Sequence, residues 1–126
     1  MQLQFDPLNK PASLVLVQET WKSILQFPIK CDDDNIFQFD RDSKEMMEGA
    51  LEGWDAAGVT TIDWRLLDNS KVTCTKVQLQ AYYDELIVKR SVRGFAVDAE
   101  YLAFKTGSPT HRDLENWKNQ HYPSSN

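Results

Sequence analysis

The densest run of possible ligands is Asp32-Asp33-Asp34-Asn35. Hard cations are held by several oxygens close together, so the run invites a calcium reading. An EF-hand loop counted from Asp32 needs an oxygen ligand at position five and a glycine at six, where this chain has Ile36 and Phe37. The run reads instead as a charged hairpin turn, which aspartate and asparagine favour. His111 and His121 have no cysteine partner at a zinc-like spacing. Asp40, Asp42, Asp63 and Glu85 offer acid–base chemistry only if two of them converge in a cleft, and carboxylates in number are the composition of any acidic surface. No G-x-S-x-G, H-E-x-x-H or phosphate-cradling glycine loop occurs, and the five glycines are scattered as turn and cap residues. Cys31 and Cys74, far apart in strand-like contexts, read as reduced, packed thiols. The expectation is a protein with no metal, no cofactor and no enzymatic activity.

Charge and hydropathy narrow the partners. A net charge of -5 argues against a phosphate-neutralising surface, so nucleic acid is not expected. Residues 1–63 carry twelve acidic and five basic side chains, residues 64–126 seven and nine, a polarity that fits a solvated surface first and head-to-tail or heterotypic contacts second. No apolar run approaches the roughly 18 residues of a membrane span, and the first residues lack the basic start and apolar stretch of a secretory signal. The expected setting is the cytoplasm.

The elements that position these residues follow from periodicity. Residues 1–22 read as an extended N-terminal arm, anchored by Phe5 and Leu8, and a first element in which Leu14-Val15-Leu16-Val17 fits either a buried strand or a short helix, with strand favoured at its start. Ile24, Phe27 and Ile29 suggest a further strand with Pro28 at an edge or bend, returning after the aspartates as Ile36-Phe37-Gln38-Phe39. Asp42 with Glu45 predicts a helix start, Met46, Met47, Ala50, Leu51, Trp54 and Ala57 its buried face, and Gly58 its stop. Ile62, Trp64 and Leu66 alternate with Asp63 and Arg65, and across Asp68-Asn69-Ser70 Val72 and Cys74 complete a hairpin. Thr75 with Gln78 then forms a capping box that opens a long helix.

That helix carries two apolar stripes. Leu79, Tyr83, Leu86, Val97, Tyr101 and Phe104 fall on one, and Val77, Ala81, Val88, Val92, Phe95, Ala99 and Leu102 roughly opposite. The pattern fits a helix sandwiched in one core, a helix shared with another chain, or two helices separated at Gly94, where glycine costs about 1 kcal/mol relative to alanine. Gly107 and Pro109 end it, and Thr110 caps a short helix with Leu114, Trp117 and His121 inward. The fold class is α+β: short antiparallel β-hairpins packed with one medium and one long α-helix, and a short C-terminal helix. Residues 23–105 form the core of a single domain and 106–126 the terminal helix and tail.

The stretch from Phe27 to Phe104 resembles an uncharacterised family of small bacteriophage proteins, a domain of unknown function encoded among tail and tail-fibre genes. The resemblance is carried by Asp40-Arg41-Asp42-Ser43, the helix from Met47 to Trp54, Trp64 with Asp68-Asn69, and Thr75 to Leu79. It brings no catalytic residues and implies a setting, the virion tail or the host cytoplasm during tail assembly. The expected partners are tail-fibre or baseplate proteins and further copies of the chain. The acidic first half also suits a host-directed inhibitor or decoy for a basic surface. The expected contact residues are Phe5, Leu8, Val88, Val92, Phe95, Leu102 and Trp117.

Overall fold

A computed structural model describes residues 6–124, so Phe5 lies outside the described residues. The protein is α+β, with five α-helices and two small antiparallel hairpins among the described residues. It divides into two compact units, one formed by the described residues 6–25 with Arg93–Tyr122, the other by Gln26–Val92 with Pro123 and Ser124. The division differs from the arm, core and tail expected from sequence, because the first element and the C-terminal helix belong to one unit.

In the Gln26–Val92 unit, β1 (Ile29–Lys30) pairs with β2 (Ile36–Phe37), and β3 (Ile62–Arg65) with β4 (Lys71–Cys74). Both hairpins use the same three-residue turn. Cys31 N–H donates to Asn35 O (2.8 Å) while Asp34 N–H returns to Cys31 O; Leu66 N–H donates to Ser70 O (2.8 Å) while Asn69 N–H returns to Leu66 O. The third turn residue takes positive φ in each, 72° at Asp34 and 70° at Asn69, a conformation that short polar side chains tolerate. Between the hairpins come α2 (Arg41–Glu52) and the single turn α3 (Trp54–Ala57).

The cap of α2 is Asp40, not Asp42: Asp40 Oδ1 accepts from Ser43 N–H at 2.8 Å. Asp42 lies inside the first turn, where its charge suits the helix dipole. The helix also ends earlier than expected, at Gly53, and a left-handed Gly58 closes α3. Met47 and Trp54 are buried, but Met46, expected on the same face, is exposed, since adjacent helical residues stand about 100° apart. The core gathers Ile29, Cys31, Phe37, Phe39, Met47, Trp54, Leu66, Cys74, Leu79 and Leu86.

In the other unit the first element is a helix, α1 (Leu14–Leu25), where β-branched residues had suggested a strand. Ser13 Oγ accepts from Leu16 N–H at 3.1 Å, and Val17, Thr20 and Ile24, spaced three and four apart, are buried. Burial of one helical face outweighs the modest strand preference of valine. The described end of the N-terminal arm lies on its own chain: Lys10–Ala12 runs antiparallel to Pro109–His111, with Ala12 N–H to Pro109 O and His111 N–H to Lys10 O, both 2.9 Å. Asp6 pairs with Arg112. The last helix, α5 (His111–His121), opens on a Thr110–Asp113 capping box.

The longest element, α4 (Lys76–Thr106), is a single unbroken helix through Gly94. Its start is the expected capping box, with Thr75 N–H to Gln78 Oε1 at 2.9 Å and Gln78 N–H to Thr75 Oγ1 at 3.3 Å.

Candidate interaction surface

Leu79, Leu86 and Val97 on α4 are fully buried. Each such side chain contributes about 1.5–3 kcal/mol relative to exposure. Val88, Val92, Phe95 and Leu102 are 61%, 64%, 78% and 60% exposed, and Val77 and Ala99 are also exposed. From Val88 through Val92, Phe95 and Ala99 to Leu102 the steps are four, three, four and three residues, the spacing by which one helix seats knobs between those of another. Ala96 and Ala103 beside this stripe are exposed and small, which permits close approach of a second backbone.

Not every expected contact residue belongs to this surface. Leu8 is half-buried within a short 3-10 turn, Pro7–Asn9, of the arm. Trp117 is buried, as its inward place on the last helix predicts, and this removes it from the expected contact residues: its ring packs on Phe104 (4.7 Å between centroids) and its Nε1–H donates to Glu100 Oε1 at 3.2 Å. The same oxygen lies 2.6 Å from His121 Nε2. Leu14 and Val15 on α1 are exposed apolar residues that sequence reading missed, because a strand assignment placed them in a core.

The residues that had suggested chemistry hold the fold together locally. Asp33 accepts from Asn35 N–H at 3.0 Å and from the Tyr82 hydroxyl, and its carboxyl is held below the usual range by those donors against the opposing effect of burial. Asp32 accepts from Lys89 at 2.8 Å, while Glu85 accepts from Asp32 N–H at 2.7 Å and sits 3.3 Å from Lys89. The acidic turn is thus latched onto α4. Among the described residues no group of three or more His, Cys, Asp or Glu is placed to hold a metal ion.

Asp40 caps α2, Asp63 accepts from Thr73 Oγ1 at 2.7 Å, and neither pairs with another carboxylate. Burial and then the Glu85 carboxylate push the Cys31 thiol up to about 12, so it stays protonated at neutral pH. Cys74 is likewise free, buried and shifted upward by burial. No helix among the described residues is long and apolar enough to cross a membrane.

Fold and surface together define a small α+β protein with one long helix that packs along one side and exposes apolar residues along another. No family model, curated protein or solved structure matches the chain.

Proposed function

We propose that this chain is a bacteriophage tail accessory protein that acts by protein–protein contact, as a tail-fibre or baseplate component or as a chaperone of fibre assembly. It works without turning over a substrate, in the virion tail or in the host cytoplasm during assembly. The observation that carries this reading is the exposed stripe Val88, Val92, Phe95 and Leu102 on α4. Single exposed apolar residues are ordinary, whereas a continuous row at knob spacing has a use chiefly when another helix covers it. The same spacing supports association with further copies of the chain. The tail setting is supported by the motif resemblance around Asp40–Ser43, Trp64 and Thr75–Leu79.

A decoy for a basic host surface draws less support, because Asp32 and Asp34 are engaged by Lys89 and Lys30. Mass spectrometry of purified virions, together with affinity purification of the tail-fibre protein from infected cells, tests the tail reading. The chain is expected in virions at stoichiometric amounts or in a soluble complex with the fibre protein. Absence from both overturns it.

A further inference from the structure

The register of the second hairpin determines which backbone groups of β3 face away from β4. Leu66 and Ser70 exchange a hydrogen bond at the turn, and the pairing continues as Arg65↔Lys71, Trp64↔Val72, Asp63↔Thr73 and Ile62↔Cys74. In an antiparallel ladder alternate pairs are hydrogen-bonded, so Trp64 and Ile62 turn their N–H and C=O toward β4. Asp63 and Arg65 turn theirs to the outer edge.

Leu67, next in that outward series, donates its N–H to Ile36 O at 3.0 Å, which confirms the parity. No hydrogen bond reaches the outward backbone groups of Asp63 and Arg65 among the described residues. They open onto a groove of about 390 Å³, lined along one side by residues 63–67 and on the other by Gln38, Ser43 and Met46.

A row of donor and acceptor pairs two residues apart has the repeat of another extended backbone, which can replace the water that otherwise solvates it. The side chains along the groove state what that strand should carry. Trp64, half-buried, and Leu66, buried, turn toward the core, and the exposed Met46 also lines the groove, so every second ligand residue lies on the apolar face of β3. Asp63 and Arg65 point to the other face, are exposed and have opposite sign.

Charges on an edge strand usually discourage pairing. A mixed pair instead selects among strands, because opposite charges placed across a ladder stabilise and like charges destabilise. With a strand added antiparallel, the residue opposite Trp64 should be apolar, the one before it, opposite Arg65, acidic, and the one after it, opposite Asp63, basic.

We propose that the outer edge of β3 binds an extended peptide segment of a partner protein by strand addition, and that it prefers an acidic–apolar–basic triplet. The chain's own Asp63-Trp64-Arg65 has that order, so a second copy would match in charge. The segment Gln38–Met46 across the groove favours a single strand over a second folded edge. This surface is separate from the α4 stripe and does not depend on the tail reading.

The test uses the full chain and a labelled peptide, acetyl-Thr-Val-Glu-Val-Lys-Val-Thr-amide, followed by fluorescence anisotropy. It is expected to bind roughly tenfold more tightly than the charge-swapped Val-Lys-Val-Glu-Val version, since two cross-strand pairs change sign. Asp63→Lys with Arg65→Glu, both exposed positions, should reverse the preference. N-methylation of the glutamate or lysine, whose N–H groups face β3, should abolish binding, while N-methylation of the central valine should not. Equal affinity for both peptides, indifference to the N-methyl position, or no binding up to about 1 mM overturns the proposal. So does a wild-type mass above the monomer that falls with Arg65→Glu alone, which sets like charges against each other in a two-copy edge, while the peptide fails to bind, because the edge then belongs to a second copy.

Discussion

The two sides of α4 are built from the same kinds of residue and are used differently. Leu79, Leu86 and Val97 are fully buried, whereas Val88, Val92, Phe95 and Leu102 stand in the open. Valine and leucine occur on both sides, so residue type alone does not decide which side forms the core. The decision falls to the elements around the helix: Phe37 packs on Tyr82 at 4.8 Å, Phe39 meets Tyr83 edge-on at 6.1 Å, and Trp21 stacks on Tyr101 at 4.8 Å. Each of these aromatic neighbours comes from an element other than α4. The side they leave uncovered retains an apolar pattern that contributes little to the fold of a single chain.

The contrast is most readily broken by truncating one residue on each side. Leu86→Ala should cost about 2–5 kcal/mol in denaturant unfolding, because it leaves a cavity in a packed core. Val92→Ala should stay within about 0.5 kcal/mol, as exposed substitutions usually do. Comparable losses at both positions would mean that both sides are internal. A smaller effect is expected at Gly94, where an added methyl group would meet nothing within 4 Å and the helix is continuous. Gly94→Ala should therefore stabilise by up to about 1 kcal/mol. A loss on that substitution would indicate a bend that glycine is needed to make.

The inward side also carries a pH dependence that the outward side lacks. The hydrogen bond to Asp33 raises the Tyr82 hydroxyl to about 12, and the one to Glu48 (2.6 Å) raises Tyr83 to about 12. A folded pKa above the ordinary 10 favours the neutral phenol in the folded state. This stabilisation is fully present below about pH 10 and is lost as the pH rises toward 12. Tyr82→Phe and Tyr83→Phe should each flatten the alkaline limb of a stability profile. The donors on Asp33 work in the opposite direction, so their contribution is present above the ordinary carboxylate pKa and is lost as the pH falls below it. Measured at concentrations where the wild-type chain is dissociated, the smallest expected effect on stability is that of Val92→Asp with Phe95→Asp, about 0.5 kcal/mol or less, with unchanged far-UV helicity.

Local chemistry made the second hairpin and the start of α4 legible, because strict alternation from Ile62 to Leu66 and the Thr75–Gln78 box leave few alternatives. The aspartate turn was legible for the same reason. What the sequence hid depended on distant neighbours. The run Leu14–Val17 becomes helix because the face formed by Val17, Thr20 and Ile24 has something to pack against, and strand propensity carries no knowledge of that.

Asp42 was read as the cap of α2 because it makes a box with Glu45, yet Gln26 Oε1 accepts from Arg41 N–H at 3.0 Å and Asp40 takes the cap itself. Helical spacing turns Trp117 inward, as found, and its place among the contact residues fails because Phe104 and Glu100 on α4 cover it, which spacing within the last helix does not reveal. The exposed stripe on α4 was visible in outline, since its period follows from the helix alone. The open edge of β3 was not, because its openness depends on where Gln38–Met46 runs.

The central claim is that the outward side of α4 is a contact surface, and the most direct test is solution mass by light scattering. The wild-type protein should exceed the 14.6 kDa of one chain and rise with concentration, and Val92→Asp with Phe95→Asp should return it to 14.6 kDa while remaining folded. A wild-type chain that stays at 14.6 kDa at all concentrations, alone and in the presence of the tail-fibre protein, or an assembly indifferent to the double substitution, would contradict it.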